Sequence, residues 1–468
     1  MIWLNISNMW ITNDDHGYKS GTTVPDSEGD AVSTAAPSRR LLAFEALKIR
    51  HFRYLLVSDF FQMLGFNTRL MVQGWIVLEL TDSDGWVGLV AGLPAIPVII
   101  LALFGGAISD RVNRRVIQIW TFLLLALSGY VLGLLVQTEA IRLWHLIAMA
   151  FPVSMMTTLR MTAGSAMVID VVGRGRIFGA NTLSTALGNV GRFVGPGVGG
   201  WVLANHGAGI AFYGIGSLLL LSAVLIWFVK VENPPISGPK KSLMEDFKLG
   251  IRYISGTPEL RWLSVLALAI MFAGMAMPLF PRWSRDVLGT GAEGYGFILA
   301  AGGVGGLVGA AALIFAPPFN QLARVLVIVV AIYSLAIIGF AFTSSLIMAA
   351  LAYSVIGATV AWWANTVRTM FQLASKDEMR GRVMSLFGLI SQTIAFGWLI
   401  GGLVSEVIGP PDDTHTLRCL SVLPVFLRVR AFCRLEAGWT VGFPRQKYCL
   451  RENRSVARYQ RCTSSNTS

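Results

Sequence analysis

Five ionisable residues sit singly inside long apolar stretches of this sequence: Asp59, Arg69, Arg160, Arg192 and Arg368. A charge in such surroundings is costly and persists where it finds a partner, so each is a candidate for function by default. Asp59 lies about 8 Å into its stretch at 1.5 Å per residue, and Arg160 reaches a similar depth in another. A carboxylate facing an arginine is suited to carrying a proton, because modest changes around it shift its proton affinity. A static ion pair, or a headgroup reaching back to water, is the plainer reading of the same two residues. Arg69 and Arg192 lie deeper, and Arg368 is near the end of its stretch. Asp59, Arg69, Arg160 and Arg192 together carry a net +2. That excess suits an anionic group on a bound molecule, or a lipid or backbone carbonyl. Other chemistry finds no support. There is no phosphate-cradling GxxxxGK[ST] run, and the five histidines are scattered without metal-ligand spacing. Cys419, Cys433, Cys449 and Cys462 are spaced by 14, 16 and 13 and fit no zinc or redox motif. No cofactor is expected.

The elements that must position these residues follow from composition. Of 468 residues, 54% are hydrophobic and only 14% charged, with 49 glycines. A soluble domain carries about 25% charged residues. A water-soluble, disordered or disulfide-built chain is therefore excluded. Apolar stretches occur at about 54–78, 86–108, 116–136, 143–168, 178–204 and 209–229, and again at 261–281, 294–316, 324–343, 346–373 and 384–408. Each is long enough to cross a bilayer as a helix, the form that satisfies its backbone there. The expectation is an all-α membrane protein with eleven spans. A twelfth is missing or degenerate, because CLSVLPVFL is short, contains Pro424 and is followed by Arg428, Arg430 and Arg434.

Charge orients the spans. The net +12 does not imply nucleic acid, since residues 409–468 alone supply +6 from ten Lys/Arg and four Asp/Glu. Most remaining basic residues fall in alternate connections, whereas the opposite set holds only Arg142, Arg282 and Arg285. This asymmetry places the N-terminus in the cytoplasm of a multi-pass inner-membrane protein. The chain divides into a polar, then basic arm (1–53), a six-span half (54–230), a linker (231–260), a five-span half (261–408) and a basic, cysteine-containing tail (409–468). Within the linker, Leu243, Phe247, Ile251 and Ile254 recur at helical spacing, so an amphipathic helix on the inner surface is expected. The tail's abrupt arginines and cysteines read as foreign to the second half. Arg174-Gly175-Arg176 recurs as Arg380-Gly381-Arg382, an offset of 206 that maps the first span onto the seventh. Two parallel halves imply a transporter with its site between them.

Two motifs sharpen this. Gly106, Asp110, Arg111, Arg114 and Arg115 lie between the second and third spans, with Asn113 where a glycine would be expected. They resemble the cytoplasmic loop signature of the major facilitator superfamily, and Asn113 is expected to replace that glycine by adopting a left-handed conformation. Gly191, Gly195, Pro196, Gly199 and Gly200 resemble the fifth-helix signature of that superfamily's exporters. Arg160 and Gly164 are similar to part of the fourth-helix signature of its proton antiporters, with Ala163 in place of the usual glutamine. Together with Asp377–Ser385, these runs resemble the subfamily of the enterobactin exporter and the transmembrane secretion effectors over about residues 45–408. The resemblance implies two six-helix halves and proton-coupled export of a small amphipathic or anionic, drug- or siderophore-like molecule by a monomer. Its partners would be substrate, protons and lipid. A non-transporting receptor or scaffold, or an importer, are the alternatives.

Overall fold

The computed structural model describes residues 45–98, 101, 113–173, 176–231, 243–268, 270–312 and 322–408, all within one compact unit, Arg39–Ser468. Gly106, Asp110 and Arg111 of the loop signature lie outside the described residues, as do residues 1–44 and the tail with its four cysteines.

Among the described residues every regular element is helical. The first half contains α1 (Arg50–Thr81), α2 (Asp84–Gly92), α3 (Arg114–Gln137), α4 (Leu143–Val172) and α5 (Ile177–Trp227). The 51 residues of α5 are two arms, because Gly207 at φ 80°, ψ 168° breaks the helix between the two expected apolar stretches. The linker helix is α6 (Leu243–Gly256), and the second half holds α7 (Pro258–Leu268), α8 (Ile270–Gly274), α9 (Gly291–Ala312), α10 (Leu322–Ala341), α11 (Leu346–Ala374), α12 (Asp377–Ser391) and α13 (Ile394–Ile408). Six helical segments among the described residues are long and apolar enough to cross a membrane, and Asp84–Val98 and Ile328–Ala341 are shorter apolar helices.

Two expectations are corrected. The stretch 261–281 is not one helix. After α8 it continues through short 3-10, α and π turns, Met277–Leu279, Phe280–Arg282 and Trp283–Val287. Pro278 and Pro281 lack the N–H that a regular helix would require. The stretch 384–408 lies within Met379–Val407, which is long and apolar enough to cross a membrane, with a two-residue interruption between α12 and α13 where the Thr393 hydroxyl donates to the Ile390 carbonyl at 2.7 Å. Asn113 is not left-handed. Its φ of −56° and ψ of 117° let its side chain accept from the Arg115 and Val116 amides at 2.9 and 3.4 Å, capping α3.

The linker helix is present as α6. Gly250 is buried against Leu386 and Arg382 of α12, Tyr253 and Ile254 join the second-half core, and Ile251 stays exposed.

The two halves pack differently at positions 206 apart. In the first half the second arm of α5 covers α1 and α3. Ser58 and Ser222 exchange hydroxyl-to-carbonyl hydrogen bonds of 3.0 and 3.1 Å, and Gly133 lies so close to Tyr213 that an added methyl would be 2.6 Å from its ring. The mates at +206 are also serine and glycine. Ser264 turns back to Leu260 of its own helix, and Gly339 faces open space. Val265, Leu268, Ile332 and Leu335 are exposed beside them. Among the described residues nothing covers in the second half what α5 covers in the first.

Candidate functional site

The exporter-signature glycines pack α5 against α1 within the first half and, at Gly200, against the second half. A helix face of glycines lets backbones approach closely. A methyl on Gly191 would lie 3.1 Å from the Leu64 amide, on Gly195 2.9 Å from the Leu64 carbonyl, and on Gly199 2.8 Å from the Thr68 side chain. These three fix α5 to α1, helped by the Thr68 hydroxyl donating to the Gly195 carbonyl at 2.9 Å. Gly200 faces the other half instead, where its added methyl would be 2.8 Å from Cα of Gly296 in α9. The Pro196 carbonyl is 2.5 Å from where a Gly296 methyl would sit, and Gly303 meets Phe193 lower down. A second seam joins Gly88 of α2 to Gly402 of α13, with a methyl-to-Cα distance of 2.9 Å. These glycine contacts between halves run from mid-depth to the end away from Arg114 and Arg115, called here the far end.

Arg160 is 9% exposed, its guanidinium over the Phe122 ring at 5.7 Å and its Nε without a hydrogen-bond partner. Gln118 of α3, 1% exposed, donates to the Arg160 carbonyl at 3.1 Å and leaves its own Oε1 unpartnered. Gly164 makes room for it, since a methyl there would be 2.6 Å from Gln118 Nε2. Asp59 is half-buried and feels the charge of Arg160. Among the described residues, however, no carboxylate oxygen comes within 4.0 Å of that guanidinium. The expected pair is therefore an electrostatic neighbourhood rather than a direct ion pair.

Arg69 is 7% exposed and donates to the Ser128 hydroxyl at 3.0 Å and, at 3.5 Å, to Gln73. Arg192 of α5 is exposed. Arg368 is exposed near the C-terminal end of α11. The three arginines sit on three different helices.

At the basic end Arg114 pairs with Asp170 of α4 at 2.6 Å, while Arg115 donates to the Trp227 carbonyl and lies over its ring at 5.9 Å. Arg114 and Arg115 thus tie α3 to neighbouring helices, and Arg115 sits where a helix C-terminus attracts cations.

Comparison with known proteins settles the family. The transmembrane secretion effector family matches residues 42–436. The chain belongs to that family. This transmembrane secretion effector is a multi-pass transporter of the major facilitator superfamily, not an enzyme. It is 26% identical over 352 residues, 72% of this chain and 84% of the relative, to the multidrug efflux pump Tap of Mycolicibacterium fortuitum. It is 22% identical over 365 residues, 76% of this chain and 90% of the relative, to the staphyloferrin A transporter of Staphylococcus aureus. In fold it resembles the nucleoside transporter NupG, with a TM-score of 0.67 at 11% identity over 82% of this chain and 99% of that one. A bacterial homologue of the lysosomal transporter Spinster, inward-facing and occupied, gives a TM-score of 0.65 at 16% identity over 83% and 96%. The family match also runs past residue 408 into the tail, as far as residue 436.

One cluster of this secretion effector was not anticipated. At the far end Asp82, Asp84, Arg282, Arg285 and Asp286 converge from both halves. The hydrogen bond from Arg285 holds the exposed Asp82 carboxyl below the usual carboxylate range, with the charge of Arg282 adding to it. A depressed carboxyl contributes stability that is complete above its unfolded value and lost as pH falls through the folded one. The melting-temperature difference between the wild type and Asp82→Asn should therefore be constant from about pH 8 to about pH 5 and close only in stronger acid. A difference that vanished by pH 6 would show that Asp82 is not held this way.

Proposed function

We propose that the protein is a secondary exporter of twelve-helix facilitator architecture in the inner membrane, with its N-terminus in the cytoplasm and eleven spans within residues 54–408. It moves a small amphipathic or anionic molecule outward by rocking its halves about the glycine seam, in exchange for protons. The observation that carries this is the placing of the exporter-signature glycines: Gly191, Gly195 and Gly199 bind α5 to α1, while Gly200 makes the contact with α9. The names of the efflux and siderophore relatives support the same substrate class. Arg69, Arg192 and Arg368 are the proposed contacts for an anionic group. Asp59 is the proposed proton carrier, its charge balanced by nearby Arg160.

Inside-out vesicles offered dyes, drugs and siderophores, with and without a proton gradient, test this reading. Gradient-dependent accumulation of at least one compound is expected. Asp59→Asn should lose gradient stimulation about tenfold yet still bind that compound. Stimulation retained in Asp59→Asn would remove Asp59 from coupling. Failure of every compound, with verified protein in the membrane, would favour a receptor or scaffold.

A further inference from the structure

We propose that Gln118 is a positioning residue for proton coupling, its free amide oxygen receiving the Arg160 guanidinium whenever Asp59 takes up a proton. This role rests on the exporter reading, in which Asp59 carries the proton.

Two buried atoms on touching residues lack partners, and each is what the other lacks. Gln118 of α3 and Arg160 of α4 are both buried. The Gln118 amide nitrogen donates to the Arg160 carbonyl at 3.1 Å, and since that partner is an acceptor, the amide has one orientation. Gln118 Oε1 is thereby left without a donor, while Arg160 Nε is left without an acceptor. Buried polar atoms are rarely unpartnered, and an unsatisfied one costs most where water is excluded. A second arrangement satisfies both atoms with a short movement. The guanidinium now lies over the Phe122 ring. Phe122 and Gln118 are neighbours one turn apart on the same face of α3. An arginine side chain spans such a turn by changing rotamers, its backbone staying in place. Gly164 gives the amide its room, as a methyl there would be 2.6 Å from Gln118 Nε2.

Charge decides which arrangement holds. Arg160 is the charged side chain whose field reaches Asp59. The other ionisable groups around α1 are engaged or lie at different levels. Arg50 and Arg53 of α1 stand at the basic end, where α3 and α4 bring Arg114, Arg115 and Asp170, and Arg114 is paired with Asp170. Arg69 is bonded to Ser128 further along α1, and Arg192 of α5 follows the glycines that pack on Met63 and Leu64. Glu79 of α1, Asp84 of α2, Arg282, and Glu293 and Tyr295 of α9 belong to the far end. An ionised Asp59 therefore balances Arg160, and a protonated one leaves a buried guanidinium with no counter-charge. The Gln118 oxygen then receives it. Being neutral, this acceptor does not compete with Asp59 for protons. Holding Arg160 there favours the protonated state of Asp59, so the carrier's affinity depends on a side chain that never touches the proton.

The test titrates Asp59 itself. Full-length protein in phospholipid vesicles is followed by infrared spectroscopy from about pH 4 to about pH 9, and the protonated-carboxyl absorption that Asp59→Asn removes is assigned to Asp59. Gln118→Met takes the acceptor away and should lower the midpoint by about one pH unit. Gln118→Glu installs a carboxylate that holds Arg160 in both states and repels an ionised Asp59, so the midpoint should rise by about one unit. Both variants lose the same hydrogen bond to the Arg160 carbonyl. A purely structural Gln118 would move both midpoints alike or leave both in place, and either result overturns the proposal. If one variant fails to reach the membrane, Gly164→Ala is read in its stead. Its methyl pushes the amide aside and should lower the midpoint by about half a unit, and an unmoved midpoint overturns the proposal. Titration needs no transported compound. A wild-type Asp59 that keeps one protonation state throughout removes it as the carrier, and the role of Gln118 with it. An Asp59 that titrates identically in all variants leaves the coupling reading standing and sinks Gln118 alone.

Discussion

Gly305→Val is expected to leave little folded protein. In α9 Gly305 lies directly against the backbone of α11, and a methyl there would overlap the Ser354 carbonyl oxygen and sit 2.8 Å from its Cα. One turn on, a methyl at Gly309 would be 2.7 Å from Cα of Ala358, and Gly357 fits equally tightly against Gly302. The obstacle at each position is main chain rather than the tip of a flexible side chain, so relief requires the two helices to move apart. Overpacking of ordinary cores costs about 1–3 kcal/mol, and a backbone obstacle belongs at or above the top of that range. The expected readout is a sharp fall in monodisperse yield from detergent and a lower melting temperature. Gly339→Ala is the matched control. It lies in α10 with no neighbour within 4 Å, so it should be neutral or gain about 0.5–1 kcal/mol of helix propensity. Equal losses in the two variants would mean that helix contact is not what selects glycine at position 305.

The second large effect concerns Arg69, for which stability and transport should part company. Its guanidinium is buried, with neutral partners in Ser128 and Gln73, and among the described residues no carboxylate lies within 4.0 Å. As scaffolding this is an expensive arrangement, since an apolar side chain of similar volume at a buried ionic site is often neutral or stabilising by about 1–4 kcal/mol. Arg69→Met should therefore melt at the same temperature as the wild type or higher. If Arg69 holds an anionic group of the substrate, the same variant loses a charge-assisted hydrogen bond of about 1.5–3 kcal/mol, and transport falls by about tenfold or more. Arg69→Lys should recover part of it. Stability and transport falling together would return Arg69 to a purely structural role.

Much of the architecture was legible because a bilayer leaves the backbone so few options. Apolar length alone located α3, α4, α9 and α11, and the spacing of glycines marked the α5 surface before its partner was known. At the offset of 206 between the RGR triplets, Ser58 corresponds to Ser264 and Gly133 to Gly339, in different settings. What escaped was tertiary. Gln118 is an ordinary polar residue near a span end, and nothing local reveals that it reaches the Arg160 carbonyl in the space left by Gly164. Asp59 and Arg160 were matched by depth, yet depth does not fix rotation about a helix, and they stop short of a direct pair. Asn113 was read through its tolerance of left-handed backbone when its capping oxygen was the property in use. Asp84 and Arg282 are 198 positions apart. Their one advance signal was that Arg282 and Arg285 broke the charge asymmetry of the loops, standing on the side where basic residues are scarce.

The contact of Gly303 with Phe193 is the lowest point at which α9 and α5 touch through a glycine, and it sets the leverage of the whole assembly. From there the Gly200–Gly296 contact is seven residues away along either helix, about 10 Å of rise, whereas the start of α9 at Gly291 is twelve residues away, about 18 Å. The Ser284 hydroxyl binds the Gly291 carbonyl at 2.7 Å, so the segment carrying Arg282 and Arg285 travels with that end. In the proposed rocking, rotation about the Phe193 contact would displace the charged cluster nearly twice as far as the glycines beneath it. Hydrogen bonds of 3 Å tolerate little stretching, so under that motion the ions would release while the glycine helices are still nearly in contact. Water and counterions would then reach the charges before the passage itself opened.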